Sequence, residues 1–152
     1  MKKILLAVML TAGFASAAFA ADTANMNVTA SVTSVCKFVA APDLAFGALN
    51  PSLATAASAT SSIQFYCTKG ATYSLSAGNG ANYDGTALTR RMKGPGATDY
   101  IPYSLSLAST TGTGTGKSTP ITVVATGGVA NADYINASTG AYTDIVVLSI
   151  TP

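Results

Sequence analysis

The chain has no histidine, no tryptophan and no glutamate, and charged residues make up only 9% of it. Without histidine, a serine nucleophile lacks its usual base and a metal site its commonest ligand. The remaining acids are aspartates, and Asp43, Asp84, Asp99 and Asp133 sit in turn-like surroundings where the residue is expected for structural reasons. No Cys-x-x-Cys occurs. No catalytic residue, metal or cofactor is expected, and the chain does not read as an enzyme.

One stretch imitates a nucleotide site. Gly112-Thr-Gly-Thr-Gly-Lys-Ser118 ends as a phosphate-binding loop does, but the position that must hold the first glycine holds Thr111. The flanking strand-then-helix pattern is missing too, so a solvated turn is the better reading. Asn27-Val-Thr29 and Asn136-Ala-Ser138 fit the glycosylation triplet, as chance allows in a sequence so rich in Ser and Thr.

The formal net charge of +2 traces to the N-terminus. Lys2 and Lys3, an apolar run from Ile4 to Leu10 and the small-residue site Ala18-Phe19-Ala20 form an export signal over residues 1–20. Thr11, Gly13 and Ser16 interrupt it too early for a membrane anchor, and no later segment is apolar enough to span a bilayer. From Ala21 onward, Lys37, Lys69, Arg90, Arg91, Lys93 and Lys117 balance the aspartates, leaving no electrostatic footprint for nucleic acid or an anionic membrane. Arg90, Arg91 and Lys93 form a small basic cluster that reads as a solvated strand end rather than an anion site.

What is abundant is Gly, Ala, Ser and Thr, a composition suited to strands and turns rather than helices. Apolar alternation marks strands at Ile63–Cys67, Thr72–Ala77, Tyr100–Leu107 and Ile121–Val124, with a shorter one at Leu88–Met92. Ile63–Cys67 and Thr72–Ala77, separated by a short turn, are expected to form a hairpin. Pro102 confines its strand to an edge or places it at the strand's beginning. Leu53–Ser62 reads as a poorly packed connection or sheet edge, and Ser109–Thr119 and Ala125–Thr139 as loops. Roughly six or seven short strands in one domain indicate an all-β immunoglobulin-like sandwich. Cys36 and Cys67, the only cysteines of an exported chain, are expected to be bonded.

The two ends of this domain pose a question. Tyr142–Thr151 contains Ile145, Val146, Val147, Leu148 and Ile150, the pattern of a strand buried on both faces. Met26, Val28, Ala30 and Val32 alternate with Asn27, Thr29 and Ser31, the pattern of a half-buried strand about 23 Å long. These strands suit each other as partners, within one molecule or between two.

Cys36, Leu44-Ala-Phe-Gly47, Ile63–Cys67 with Thr68-Lys-Gly70, Tyr73–Leu75, Arg90-Arg-Met92, Tyr103–Leu105 and Gly140-Ala-Tyr-Thr-Asp144 together resemble the spore coat protein U domain family. That family includes subunits of archaic chaperone-usher pili. The resemblance implies an incomplete immunoglobulin-like β-sandwich completed by donor-strand exchange. Residues 1–20 would be the signal, 21–35 the donor segment and 36–152 the pilin domain. Met26, Val28, Ala30 and Val32 would be the donor strand's plugs, and Val146, Leu148 and Ile150 would line part of the acceptor groove. The Cys36–Cys67 disulfide would lie near its base. Implied partners are other copies of the chain in a head-to-tail polymer, a periplasmic chaperone and an outer-membrane usher, with the cell surface as destination. Two other readings remain beside it: a coat or surface protein of the same fold with its N-terminal strand in its own groove, and a carbohydrate-binding module using tyrosines. Members often carry an aromatic-containing strand where this chain has Ala125–Thr139, which puts that part of the sheet in doubt.

Overall fold

The computed structural model describes residues 20–53, 55–87 and 89–152. The export signal assigned above falls on residues 1–20, of which only Ala20 is described. Residues 20–31 form no helix or strand, and their side chains are exposed.

Val32–Pro152 forms the folded unit. Its strands are β1 (Cys36–Ala40), β2 (Ala57–Cys67), β3 (Thr72–Ala77), β4 (Arg90–Lys93), β5 (Tyr100–Leu107), β6 (Thr111–Thr113), β7 (Ile121–Val129) and β8 (Leu148–Thr151). A single helical turn, α1 (Asn131–Tyr134), follows β7. The strands make a five-stranded sheet ordered β1-β2-β7-β5-β4 and a three-stranded sheet ordered β6-β3-β8, with all pairings antiparallel. The all-β, immunoglobulin-like two-sheet reading therefore holds.

Alternation explains which faces meet. Ile63, Phe65 and Cys67 of β2, Tyr73 and Leu75 of β3, and Val123 and Ala125 of β7 form one buried cluster. The Phe65 and Tyr73 rings meet edge to face across the sandwich, with centroids 5.0 Å apart. This contact explains why the expected β2–β3 hairpin does not form. Because Phe65 and Tyr73 both point into the core from opposite sides, the turn at Thr68–Ala71 carries the chain from one sheet to the other.

Three further expectations change. Leu53–Ser62 is not only a connection: β2 starts at Ala57 and pairs with β7 from there, while β1 covers only Gln64–Cys67 on the other side, so Ala57–Ser62 is a local sheet edge. Ser109–Thr119 contains β6, which pairs with β3. Ala125–Thr139 is not a loop throughout, since β7 continues to Val129 and α1 then buries Tyr134, whose hydroxyl donates to the Thr55 carbonyl at 2.6 Å. Small residues hide this part of β7 from a hydrophobicity reading, and they are needed there. A Cβ on Gly127 would strike the side chains of Leu44 and Phe46, which lie over the sheet at that point. Pro102 stands near the start of β5, where pairing with β7 has not begun; that ladder starts at Ser104.

Cys36 and Cys67 are directly opposed in the β1–β2 ladder and form a disulfide, with Cα atoms 4.1 Å apart. Removing it by a Cys36→Ala, Cys67→Ala double substitution frees a loop of about 30 residues in the unfolded chain, and the loss should be about 3 to 4 kcal/mol. The midpoint of denaturant unfolding should fall accordingly. An unchanged midpoint would show that the crosslink contributes nothing to this fold.

Candidate functional site

The last segment of the chain joins the two sheets. Thr143 pairs with Lys93 of β4 through reciprocal backbone hydrogen bonds of 3.0 and 2.8 Å. Ile145 and Val147 then accept from Ala81 and Gly78 at 3.0 and 2.8 Å, and β8 pairs with β3. One edge of this segment is thus occupied. Strand groups alternate in lateral direction, so the backbone N–H and C=O groups of Val146, Leu148 and Ile150 face the other way. Among the described residues, β8 is the terminal strand of its sheet and no strand lies beside that edge.

Across the gap lies the stretch from Ala41 to Leu49. Among the described residues, no backbone-to-backbone hydrogen bond ties down positions 43–49. Two hollows of mixed apolar and polar lining run between this stretch and the final segment. The larger, about 1060 Å³, is lined by Phe46, Leu49, Met92, Ile101, Tyr103 and Tyr142 among others. The smaller, about 180 Å³, is lined by Pro42, Ile63, Leu105, Leu107, Ala125 and Leu148 among others. Asp43, Leu105 and Val146 border both, so the hollows adjoin each other. The two sheets curl into a half-barrel with these hollows along one side.

Val146, Leu148 and Ile150 are half-buried and turn toward the interior, with Leu148 and Ile150 packed on the main core cluster. The expectation that this strand is buried on both faces does not hold: Ile145 and Val147 are 72% and 66% exposed. Nothing packs on the outer face of the three-stranded sheet among the described residues. In the N-terminal stretch Met26, Val28 and Val32 are 85%, 84% and 85% exposed, and Ala30 is exposed as well.

Several residues of the cleft are not evident from the final strand alone. Leu44 and Phe46 alternate as in a strand, but nothing in the sequence says which strand they face. Phe38 is directly opposite the fully buried Phe65 in the β1–β2 ladder, so it shares the inward face of β1. Yet it remains 37% exposed, and it lines neither hollow.

A polar latch holds the upper end of the final segment. Asp144 Oδ1 accepts from the Asn82 backbone N–H at 3.0 Å and from Asn82 Nδ2 at 3.1 Å, while Oδ2 accepts from the Tyr103 hydroxyl at 2.7 Å. Gly80 makes room for it, since a Cβ there would collide with the Asp144 carboxylate. Burial, and then the hydrogen bond and the charge of Asp144, push the Tyr103 phenol well above its ordinary value of 10.0.

The basic cluster is engaged in holding the fold. Arg90 donates to the Gly78 and Ala77 carbonyls, Lys93 to those of Gly96 and Ala97. Arg91 pairs with Asp84 at 2.7 Å and lies 4.1 Å from the centroid of the Tyr100 ring. The Asp84 carboxyl is held below its ordinary value by the backbone N–H groups of Ala87 and Thr86, with Arg91 adding a smaller effect. Tyr73 and Tyr134 are buried and the other tyrosines are partly exposed. Among the described residues there is no cluster of three metal-ligating side chains and no helix long and apolar enough to cross a membrane.

A family model described as Spore Coat Protein U domain matches residues 22–149. No curated protein matches the chain. Among solved structures, the CsuC-CsuE chaperone-tip adhesion subunit pre-assembly complex from archaic chaperone-usher Csu pili of Acinetobacter baumannii is similar, with a TM-score of 0.52 and 23% identity. The match covers 78% of the present chain and 40% of that chain, and at this identity it is a likeness of fold.

The latch makes a signed prediction. A phenol whose folded value is raised contributes stability that is complete below the unfolded value and lost as pH rises through the folded one. Stability should therefore decline as pH climbs above 10.0, and Tyr103→Phe should decline less over the same range. At neutral pH the substitution should cost about 1 to 2 kcal/mol by removing a hydrogen bond to a carboxylate. Unfolding midpoints of both proteins across alkaline pH measure this, and parallel curves would refute it.

Proposed function

The chain belongs to the spore coat protein U domain family, and from that premise we propose that it is a structural subunit of a surface pilus assembled by strand donation between molecules. The observation that carries the proposal is a pair of complementary defects in one chain. Among the described residues, a strand edge stands open beside two adjoining hollows lined in good part by apolar side chains. An exposed segment of about the same length carries apolar side chains at every second position.

Such an edge recruits any extended chain that can satisfy its backbone groups. A strand laid beside Val146–Ile150 would gain main-chain hydrogen bonds there, and its alternate side chains would enter the hollows below. Met26, Val28, Ala30 and Val32 have that period, and the small hollow suits the small Ala30. Because donor and acceptor are different surfaces of the same molecule, the contact does not close, and repetition builds a fibre.

Export through the N-terminal signal would deliver the chain to the periplasm with its disulfide formed. An open edge cannot safely remain bare in transit, so a periplasmic chaperone lending a temporary strand and an outer-membrane usher are the expected partners. The similar fold in a chaperone-bound pilus subunit supports the chaperone step. In this role residues 21–35 are the donor segment and 36–152 the acceptor domain, with no reaction chemistry required of either.

Denaturing electrophoresis without boiling tests the proposal directly. The exported full chain should give a ladder of multimers that collapses on boiling, and a chain lacking Ala21–Val32 should give none. Val28→Asp with Val32→Asp should abolish the ladder while leaving a folded, disulfide-bonded monomer. Normal polymerisation of that double variant would eliminate these plugs. A lone monomer band from the folded full chain would favour the coat-protein reading, with the segment in its own groove.

A further inference from the structure

The chain between the last plug and the first strand is short, and it is tied down. The Thr68 hydroxyl accepts from the Val35 backbone N–H at 3.1 Å and donates to the Thr33 carbonyl at 3.1 Å. The Thr68 backbone N–H donates to the Val35 carbonyl at 2.9 Å. Thr68 directly follows Cys67, and Val35 directly precedes Cys36, so the disulfide anchors both sides of this arrangement.

We infer that Thr68 is a positioning residue that staples Thr33–Val35 to the body of the subunit, so that the donor strand leaves a fixed base and successive subunits meet at a stiff joint. This rests on the donor-strand reading. If Val32 is the last plug, the next residue, Thr33, already belongs to the stapled base. No free residue remains between the part buried in one subunit and the part fixed to the next. Without the hydroxyl, the Thr68 backbone N–H still holds the Val35 carbonyl, but Thr33 and Ser34 become a flexible connection able to span about 7 Å. Short polar segments of this kind let neighbouring bodies reorient.

The function of the hydroxyl is specific, because one side chain must accept and donate at once. Serine can do both and valine neither, although valine matches the shape of threonine. The staple also lies outside the cleft, so its removal leaves both plugs and hollows unchanged.

The test uses the full-length chain assembled into fibres and imaged by electron microscopy, with curvature measured along each fibre. Thr68→Val should retain the boil-sensitive ladder, while its fibres should show a persistence length lower by about two-fold or more. Thr68→Ser should restore the original curvature. A Gly-Ser insertion between Val32 and Thr33 loosens the joint with the staple intact and provides the flexible reference. Thr68→Val fibres as stiff as the original would overturn the inference. If that variant does not fold, hydrogen exchange of the original fibre decides: a protected Val35 amide supports the staple, and exchange at the free-chain rate overturns it. Failure of the original chain to form any ladder would instead sink the strand-donation reading, and the Val35 amide of the monomer would still judge the staple.

Discussion

The fold is organised around a row of backbone groups that have no partner among the described residues. A buried or half-buried amide left without a hydrogen bond is costly, and native proteins leave few of them. Here Val146, Leu148 and Ile150 present such groups at the terminal edge of a sheet, beside hollows floored by Leu105, Leu107 and Ile63. Hydrogen bonding and apolar burial are therefore deficient at the same place. A single extended segment of alternating character corrects both together, which neither a small ligand nor a flat protein surface can do.

The rest of the domain is arranged to keep that deficiency in shape. A soft edge would collapse inward and bury its own hollows. Three features oppose this: the reciprocal bonds between Thr143 and Lys93, the latch from Asp144 to Asn82 and Tyr103, and the disulfide that ties β1 to β2. The first two hold the final segment to β4 and to the chain after β3. The third fixes the strand from which the opposite wall departs. Arg90, Arg91 and Lys93 brace the same region through carbonyl contacts, so a sequence with very few charges uses these as internal ties.

The sequence made the strands legible wherever alternation involved large side chains. Ile63, Phe65 and Cys67, Tyr73 and Leu75, and Tyr103, Leu105 and Leu107 all announced their faces correctly. It concealed the strands built from small residues, because Ser58–Ser62, Thr111–Thr113 and Ala125–Gly128 carry almost no hydrophobic contrast. It also misdirected pairing between β2 and β3, since a short turn between two alternating strands looks the same whether the chain returns in one sheet or crosses to the other. Only the Phe65–Tyr73 contact distinguishes them. The cleft was half legible. Of the final-strand residues expected there, Val146 and Leu148 border the hollows and Ile150 does not, whereas Leu44 and Phe46 required knowledge of which elements face the gap.

The smallness of the side chains in β7 connects this hidden part of the fold to the cleft. Leu44 and Phe46 descend onto Gly127, and any larger residue there would lift them toward the space between the walls. The depth of the hollow is thus set from beneath by a glycine and from the side by Tyr142 and Met92. An all-aliphatic β7 would give a clearer strand signal and a better-packed isolated domain, but it would raise the floor on which an incoming side chain has to rest. The weak pattern that makes Ala125–Val129 hard to read is a consequence of leaving that space open.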